Sequence, residues 1–240
     1  MNRQILIHYG EIGLKKSYKE FFVRKMIKDI KNKLKNKFSK NFDVKHILSR
    51  IIVELPQTFE EPEKTKVLNT IFGIKNFKYV YTGPIDIEDL STQIHQNLPK
   101  LDAYKNFCVR VKRSMLMENG SSENERIIGA NLLKKDINLP VKLKNPDLTV
   151  DIEFFSNKGY FSFRTHKGLG GLSSNSSGKL VSLISSGIDS PVASFKMMQR
   201  GAKLIYVSFN SYPYSDLSEI EQVKKIVKIL NEYQTNTKLF

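Results

Sequence analysis

The sequence predicts an α+β fold followed by the opening of an α/β fold, and three observations carry that prediction. The first 80 residues run strand, helix, strand, strand, helix, strand, which is the split βαβ or ferredoxin-like order. Residues 81–167 form a second small α+β block of short helices and alternating strands. After a Gly/Ser-rich stretch at 168–177, continuous apolar strands alternate with helices, the pattern of a parallel sheet.

Within the first block, residues 4–8 read as an apolar strand. Ser17 and Glu20 form a capping pattern that predicts a helix from Ser17. Phe22, Met26, Ile30 and Leu34 recur every fourth residue and define its buried face, leaving Lys25, Lys28, Lys31, Lys33, Lys35 and Lys37 to solvent. Strands follow at Phe42–Leu48 and Arg50–Leu55, then a helix at Lys64–Phe72 and a strand at Lys78–Thr82. Gly83-Pro84 punctuates the chain. The second block has helices near Ile87–Leu98 and Glu123–Lys135, and strands at Phe107–Arg113, Leu148–Phe155 and Gly159–Phe163.

In the last block Leu180–Ile184 reads as a buried strand and Pro191–Arg200 as a helix. Pro191 suits its first position and Gly201 its stop. Lys203–Phe209 is a second strand, Leu217–Glu232 an amphipathic helix, and Thr237–Phe240 the start of a third strand. So few strands leave a parallel sheet unfinished. Ile184, Leu204, Ile205, Val207 and the helix faces near Val192 and Ile226 are expected to be partly uncovered.

Charge points to a polyanionic partner. The 240 residues carry 39 Lys/Arg against 24 Asp/Glu, a net +15, and residues 1–80 alone hold 18 Lys/Arg against 8 Asp/Glu. A single cysteine, Cys108, excludes an internal disulfide and a cysteine-based zinc site, and the four histidines are scattered. No metal ligands are assigned. No stretch approaches the roughly 20 apolar residues of a membrane span, and the first residues lack a secretory pattern, so a cytoplasmic protein with no membrane partner is expected.

The chemistry concentrates at Ser185-Ser186-Gly187-Ile188-Asp189-Ser190, between an apolar strand and a helix N-terminus. Small residues there let backbone amides approach phosphate oxygens, and the helix dipole favours negative charge. Asp189 repels phosphate, so its work is indirect, through Mg²⁺ or by holding the loop. Neither GxxxxGK[ST] nor GxGxxG is present.

This loop resembles the SGGxDS signature of the PP-loop ATP pyrophosphatases. The wider text LVSLISSGIDSPVASFKMMQRGAKLIYVSFNSYP resembles the tRNA 4-thiouridine synthetase family, also called tRNA sulfurtransferase or thiamine-biosynthesis sulfurtransferase. His8-Tyr9-Gly10-Glu11-Ile12 with Leu14-Lys15 resembles that family's opening motif. FCVRVKR at 107–113 and KNPD at 144–147 resemble landmarks of its RNA-binding THUMP domain, and Gly170–Lys179 its linker.

The resemblance implies a ferredoxin-like domain at 1–80 and a THUMP domain at 81–167, or from near 58 in wider definitions. A linker at 168–177 and a partial PP-loop domain at 178–240 complete it. It implies ATP and Mg²⁺ as cofactors, with nucleotide contacts at Leu183, Ile184, Ser185, Ser186, Gly187, Asp189, Ser190, Ser208 and Phe209 and a catalytic role for Asp189. The implied reaction adenylates a tRNA uridine at C4 and transfers sulfur from a persulfide donor, such as a cysteine desulfurase, giving 4-thiouridine. Relatives also supply thiazole sulfur in thiamine biosynthesis. Lys15, Lys16, Lys19, Arg110, Lys112 and Arg113 are the candidate RNA contacts.

Departures accompany the match. Ser186 replaces a Gly, at a cost of about 1 kcal/mol if that position needs positive φ. Ser208 replaces a His, and Ser173 and Asn175 replace a Pro and a Gly. The family's PP-loop domain continues well past the equivalent of Phe240 and supplies the sulfur-carrying cysteine. A second polypeptide or self-association is then expected to complete the domain, without which the chain is inactive alone. The alternative is a non-catalytic tRNA-binding THUMP module with a vestigial or split PP-loop domain.

Overall fold

A computed structural model describes residues 3–56, 61–114, 117, 119–135, 137–210, 217–234 and 237–240. Strands are β1 (Arg3–Tyr9), β2 (Val44–Ile47), β3 (Arg50–Glu54), β4 (Ile74–Gly83), β5 (Phe107–Arg113), β6 (Leu148–Phe155), β7 (Lys158–Ser162), β8 (Thr165–Lys167), β9 (Lys179–Leu183) and β10 (Lys203–Val207). Helices are α1 (Lys19–Phe38), α2 (Glu61–Leu68), α3 (Ile87–Gln96), α4 (Ser121–Lys134), α5 (Asp189–Gln199) and α6 (Leu217–Leu230). Among the described residues no helix is long and apolar enough to cross a membrane. The chain divides into two compact units, one of residues 1–6, 46–59 and 77–166, the other of residues 7–45, 60–76 and 167–240.

Most of the strands join one mixed sheet in the order β2-β3-β1-β4-β7-β6-β5, with β8 beside β4. In the first unit β5 and β6 run parallel, Phe107 opposite Leu148 through Arg113 opposite Phe154, with α4 as the crossover between them. The core packs Leu90 and Ile94 of α3 and Ile128 and Leu132 of α4 against Val109, Val111, Val150, Ile152, Phe154 and Phe161. Each such side chain stabilises by roughly 1.5–3 kcal/mol on burial. Cys108, with its thiol 3.9 Å from the Thr149 hydroxyl, is only 1% exposed.

Strand alternation puts a charged cluster beside the smaller apolar group of Leu6, Ile52, Val80, Phe155 and Tyr160. The Lys78 ammonium lies 2.7 Å from Asp151 and 3.0 Å from Glu153, Arg50 Nε lies 2.9 Å from Glu153, and the guanidinium covers the Phe155 ring. Charges this buried persist because each is paired.

In the second unit, α1 packs on α2 and on the short 3-10 turn Glu11–Leu14, burying Val23, Met26, Ile30 and Leu34. Three expectations for α1 need correcting. Val23, not Phe22, belongs to the fully buried stripe. Ser17 does not cap the helix, because a 3-10 turn over Lys16–Tyr18 precedes it and leaves Tyr18 at the cap without a side-chain bond. Lys25 and Lys33 turn inward to backbone carbonyls instead of facing solvent.

The rest of this unit centres on Phe72, Ile184, Met198, Leu204, Tyr206, Val223, Val227 and Leu230. β9 and β10 pair in parallel from Lys179–Lys203 to Leu183–Val207, and Leu239 bridges Tyr206 in parallel on the other side of β10. The expected third strand is thus begun, and the spatial order is third, second, first. Exposure follows expectation in part. Ile205, Val207 and Ile226 are partly covered and Val192 on α5 is 51% exposed, as expected, whereas Ile184 and Leu204 are buried in the core. Val181 (60%) and Leu183 (63%) on β9 are exposed as well. Among the described residues β9 pairs with β10 alone.

Two glycines and one asparagine shape the approach to α5. Gly201, at φ 86°, ends that helix as expected. Gly171, at φ 77°, passes so close that a Cβ would lie 2.2 Å from the Gln199 carbonyl oxygen. Asn175 sits at φ 57°, a left-handed position that asparagine tolerates better than other side chains. Its replacement of the family's Gly is therefore accommodated, and its side-chain oxygen accepts from the buried Gln234 amide.

Candidate nucleotide-binding loop

The apolar run of β9 ends at Leu183, and Ile184 drops into the core, which anchors the loop that follows. The Ser185 amide donates to the Ser190 hydroxyl at 2.9 Å, and the two hydroxyls are 3.1 Å apart. Behind this clamp, Ser194 Oγ donates to the Ser190 carbonyl at 2.8 Å and lies 2.7 Å from Ser182 Oγ on β9. Serine is thus the tie between strand and helix. Ser186 does not adopt positive φ, so the expected backbone penalty for a non-glycine there is absent.

Helix α5 begins at Asp189, two residues before the expected start, and Pro191 is its third residue instead of its first. Proline is tolerated there because first-turn amides have no intrahelical acceptor. Ile188 at the cap supplies no side-chain bond, so the amides of Asp189 and Ser190 open the helix without a side-chain acceptor from the cap. Asp189, Gly187 and Ile188 are exposed. Amide donors, serine hydroxyls and one exposed carboxylate fit the polyphosphate end of a nucleotide, with Asp189 suited to an accompanying divalent cation.

The loop borders a hollow of about 50 Å³ lined by Ser185, Ser186, Ser208, Phe209, Asn210, Glu219, Ile220 and Val223. The expected contacts Ser185, Ser186, Ser208 and Phe209 are therefore brought together. Leu183 lies on the open strand edge, and Ile184 contributes from within the core. Sequence reasoning missed Asn210 and the α6 residues Glu219, Ile220 and Val223, for which only an amphipathic helix was legible. The hollow is far smaller than the several hundred Å³ of ordinary ligand pockets, so these residues form a floor and one wall. Among the described residues no group of three or more His, Cys, Asp or Glu is placed to hold a metal ion.

The candidate RNA contacts fall in both units. In the second, Lys15 lies over the Phe22 ring at 5.7 Å and Lys19 over Tyr9 at 5.8 Å, while the Lys16 side chain lies outside the described residues. In the first, Lys112 and Arg113 are exposed, whereas Arg110 donates to the Leu143 carbonyl and faces Glu125 at 3.7 Å. A cleft of about 570 Å³ lies beside it between β5 and α4, with Arg110 and Arg126 among its lining residues.

Three family models match in order: "ThiI ferredoxin-like domain" over residues 4–77, "THUMP domain" over 86–164, and "Thiamine biosynthesis protein (ThiI)" over 175–240. The chain is 31% identical over its whole length to "Probable tRNA sulfurtransferase" of Mycoplasmopsis synoviae, of which it covers 60%. It is 34% identical to the protein of that name from Methanocaldococcus jannaschii, with 97% of this chain and 61% of the relative covered. Among solved structures, a 4-thiouridine synthetase–RNA complex with bound ATP matches all of this chain and 61% of its own, at 26% identity and TM-score 0.79. PH1313 from Pyrococcus horikoshii shares the fold at TM-score 0.82 and 24% identity, covering 78% of that chain. The chain spans about three-fifths of the curated relatives it matches.

Proposed function

The chain belongs to the tRNA sulfurtransferase family, and on that premise we propose that it binds tRNA and contributes the ATP-binding loop for 4-thiouridine formation. The observation that carries this reading is the serine-clamped turn between β9 and α5. There backbone amides, hydroxyls and the Asp189 carboxylate stand beside a hollow whose lining includes Glu219.

In the proposed reaction the uridine C4 oxygen attacks the α-phosphorus of ATP and pyrophosphate leaves. A persulfide sulfur then attacks C4 and AMP departs with the original oxygen, leaving the uridine joined to the carrier through an S–S bond. A second thiol, also from outside this segment, attacks the carrier sulfur, so that the S–S bond breaks, a carrier disulfide forms and 4-thiouridine is released. Ser185, Ser186, Gly187 and Ser190 hold phosphate oxygens. Asp189 would hold an accompanying Mg²⁺, which would supply positive charge to the departing pyrophosphate, and the loop amides stabilise the developing negative charge. Leu183, Ile184, Ser208 and Phe209 border the base and ribose.

Sulfur comes from outside these 240 residues in this reading, because their single cysteine, Cys108, is buried on β5. A persulfide carrier such as a cysteine desulfurase fits that need, in the cytoplasm where such tRNA chemistry runs. The open edge of β9 is the seat for further parallel strands, whichever polypeptide supplies them. Lys15, Lys16, Lys19, Lys112 and Arg113 bind RNA phosphates.

The test is ATP-dependent 4-thiouridine formation on tRNA by a system containing this segment, with and without Asp189→Ala. The substitution is expected to abolish thiolation and leave tRNA affinity unchanged. Thiolation at the wild-type rate would overturn the assignment of the loop.

A further inference from the structure

Lys25, Asp29 and Lys33 stand four residues apart on α1, so they form one stripe along the helix. All three reach residues far away in sequence within the second unit. Lys25 Nζ donates to the Asn175 carbonyl at 3.2 Å, and Asp29 accepts hydrogen bonds from Ser174. Lys33 Nζ donates to the Thr70 carbonyl at 2.8 Å, Thr70 Oγ1 at 3.0 Å, the Glu232 carbonyl at 2.7 Å and the Tyr233 carbonyl at 3.2 Å. Three protons shared among four oxygens describe an ammonium fully committed to protein.

Two of those oxygens belong to the turn 231–234 that follows α6. A helix C-terminus carries the negative end of the dipole, so a cation beside that turn is favoured. At 1.5 Å per residue, α6 spans about 20 Å from this end to its start. Its first two turns carry Glu219, Ile220 and Val223, which line the hollow beside the loop. The same clamp bears on α5. Tyr233 packs edge-on to Phe195 at 5.0 Å, and Phe195, the residue after Ser194 of the loop tie, packs against Phe72 at 5.3 Å.

We infer that Lys33 is a positioning residue for the nucleotide loop. By clamping the far end of α6 and the Phe195 contact of α5, it sets how the wall formed by Glu219, Ile220 and Val223 stands against Ser185 and Ser186. The inference rests on the nucleotide reading of that loop. It gives Lys33 an indirect role at the nucleotide loop, in place of the solvent-facing one that its spacing on α1 suggests.

Hydrogen exchange and Mg·ATP titration on the full chain test it, using Lys33→Met, Lys33→Arg, Thr70→Val and Lys37→Met. Lys37 lies one turn along, exposed at the same cleft, and controls for lost charge. Loss of several hydrogen bonds to a charged group is expected to speed exchange of amides 221–223, the first of α6 with intrahelical acceptors, by about tenfold. Nucleotide affinity should fall with it, while RNA affinity stays at the wild-type value. Lys33→Arg should restore most of the effect and Lys37→Met should cause none. Thr70→Val removes one of the four Lys33 acceptors, together with the hydroxyl's own bond to the Val67 carbonyl, and should give a smaller effect of the same kind.

Faster exchange confined to residues 228–234, with 221–223 and nucleotide affinity unchanged, would reduce Lys33 to a local helix cap and overturn the inference. If Lys33→Met does not fold, Thr70→Val decides by the same readouts. A wild-type chain that takes up no nucleotide would overturn the functional reading instead, and the exchange pattern would still decide the clamp.

Discussion

The Ser185 amide donates to the Ser190 hydroxyl across 2.9 Å, so the first and last residues of the loop hold each other. Ser190→Ala removes that acceptor and is expected to cost about 1 kcal/mol locally. Nucleotide affinity should drop several-fold with little change in the thermal midpoint, as read by calorimetric titration and melting of the same samples.

Acidity should affect the second unit in an unusual direction. Burial pushes the Asp29 carboxyl up to about 6, against Ser174 hydrogen bonds and the ammoniums of Lys33 and Lys25. Burial also pulls the Lys33 ammonium down to about 8, against Asp29 and Glu232. Below pH 6 the folded state binds a proton at Asp29 that the unfolded chain does not hold until about 3.8, so this group adds stability as pH falls from 6 towards 4. Between about 8 and 10.5 the unfolded chain keeps the Lys33 proton that the folded state has released, so this group adds stability as pH rises. Their joint contribution is lowest between pH 6 and 8. Urea midpoints against pH should lose the acid limb in Asp29→Asn and the alkaline limb in Lys33→Met, each relative to wild type.

In the first unit Lys78 neutralises Asp151 and Glu153 together. Lys78→Met leaves both carboxylates buried with only Arg50 nearby, and stability should fall by roughly 3–5 kcal/mol. Adding Glu153→Gln to the same chain should recover part of the loss. An additive double variant, measured by denaturant unfolding, would contradict a coupled cluster.

RNA binding should be electrostatic. Reversing charge at Lys15, Lys16 and Lys19 together is expected to weaken tRNA affinity and flatten its dependence on salt, because fewer counterions are then released. Reversing Lys112 and Arg113 should act in the same direction. Affinities that do not change between low and high salt would remove this account.

β9 should exchange its amides faster than β5, whose pairing with β6 runs over all seven residues and is covered by α4. Val181 and Leu183 on β9 are exposed. Equal protection of the two strands by hydrogen-exchange mass spectrometry would mean that this edge is closed in solution.

The parts of the fold legible in the sequence are those where local pattern and environment agree. β5 and β6 occur at the residues that their alternating and apolar runs indicate, since both faces of each strand meet consistent surroundings. β8 was not foreseen because Thr165-His166-Lys167 has no apolar pattern and owes its strand form to β4. The loop was legible as a cluster of small residues, but Glu219 was not, because its place depends on how α6 packs. Lys25 and Lys33 read as solvated lysines among many. Their acceptors lie about 40 to 200 residues away, and periodicity carries no record of a contact at that distance.

A solitary buried thiol also makes the chain its own chemical gauge. Cys108 lies where β5 meets β6, so a small alkylating reagent can reach it only when that sheet opens. With no other sulfhydryl to compete, the rate of modification would time the breathing of the first unit directly. It could do so in the presence of RNA or nucleotide, without any engineered label.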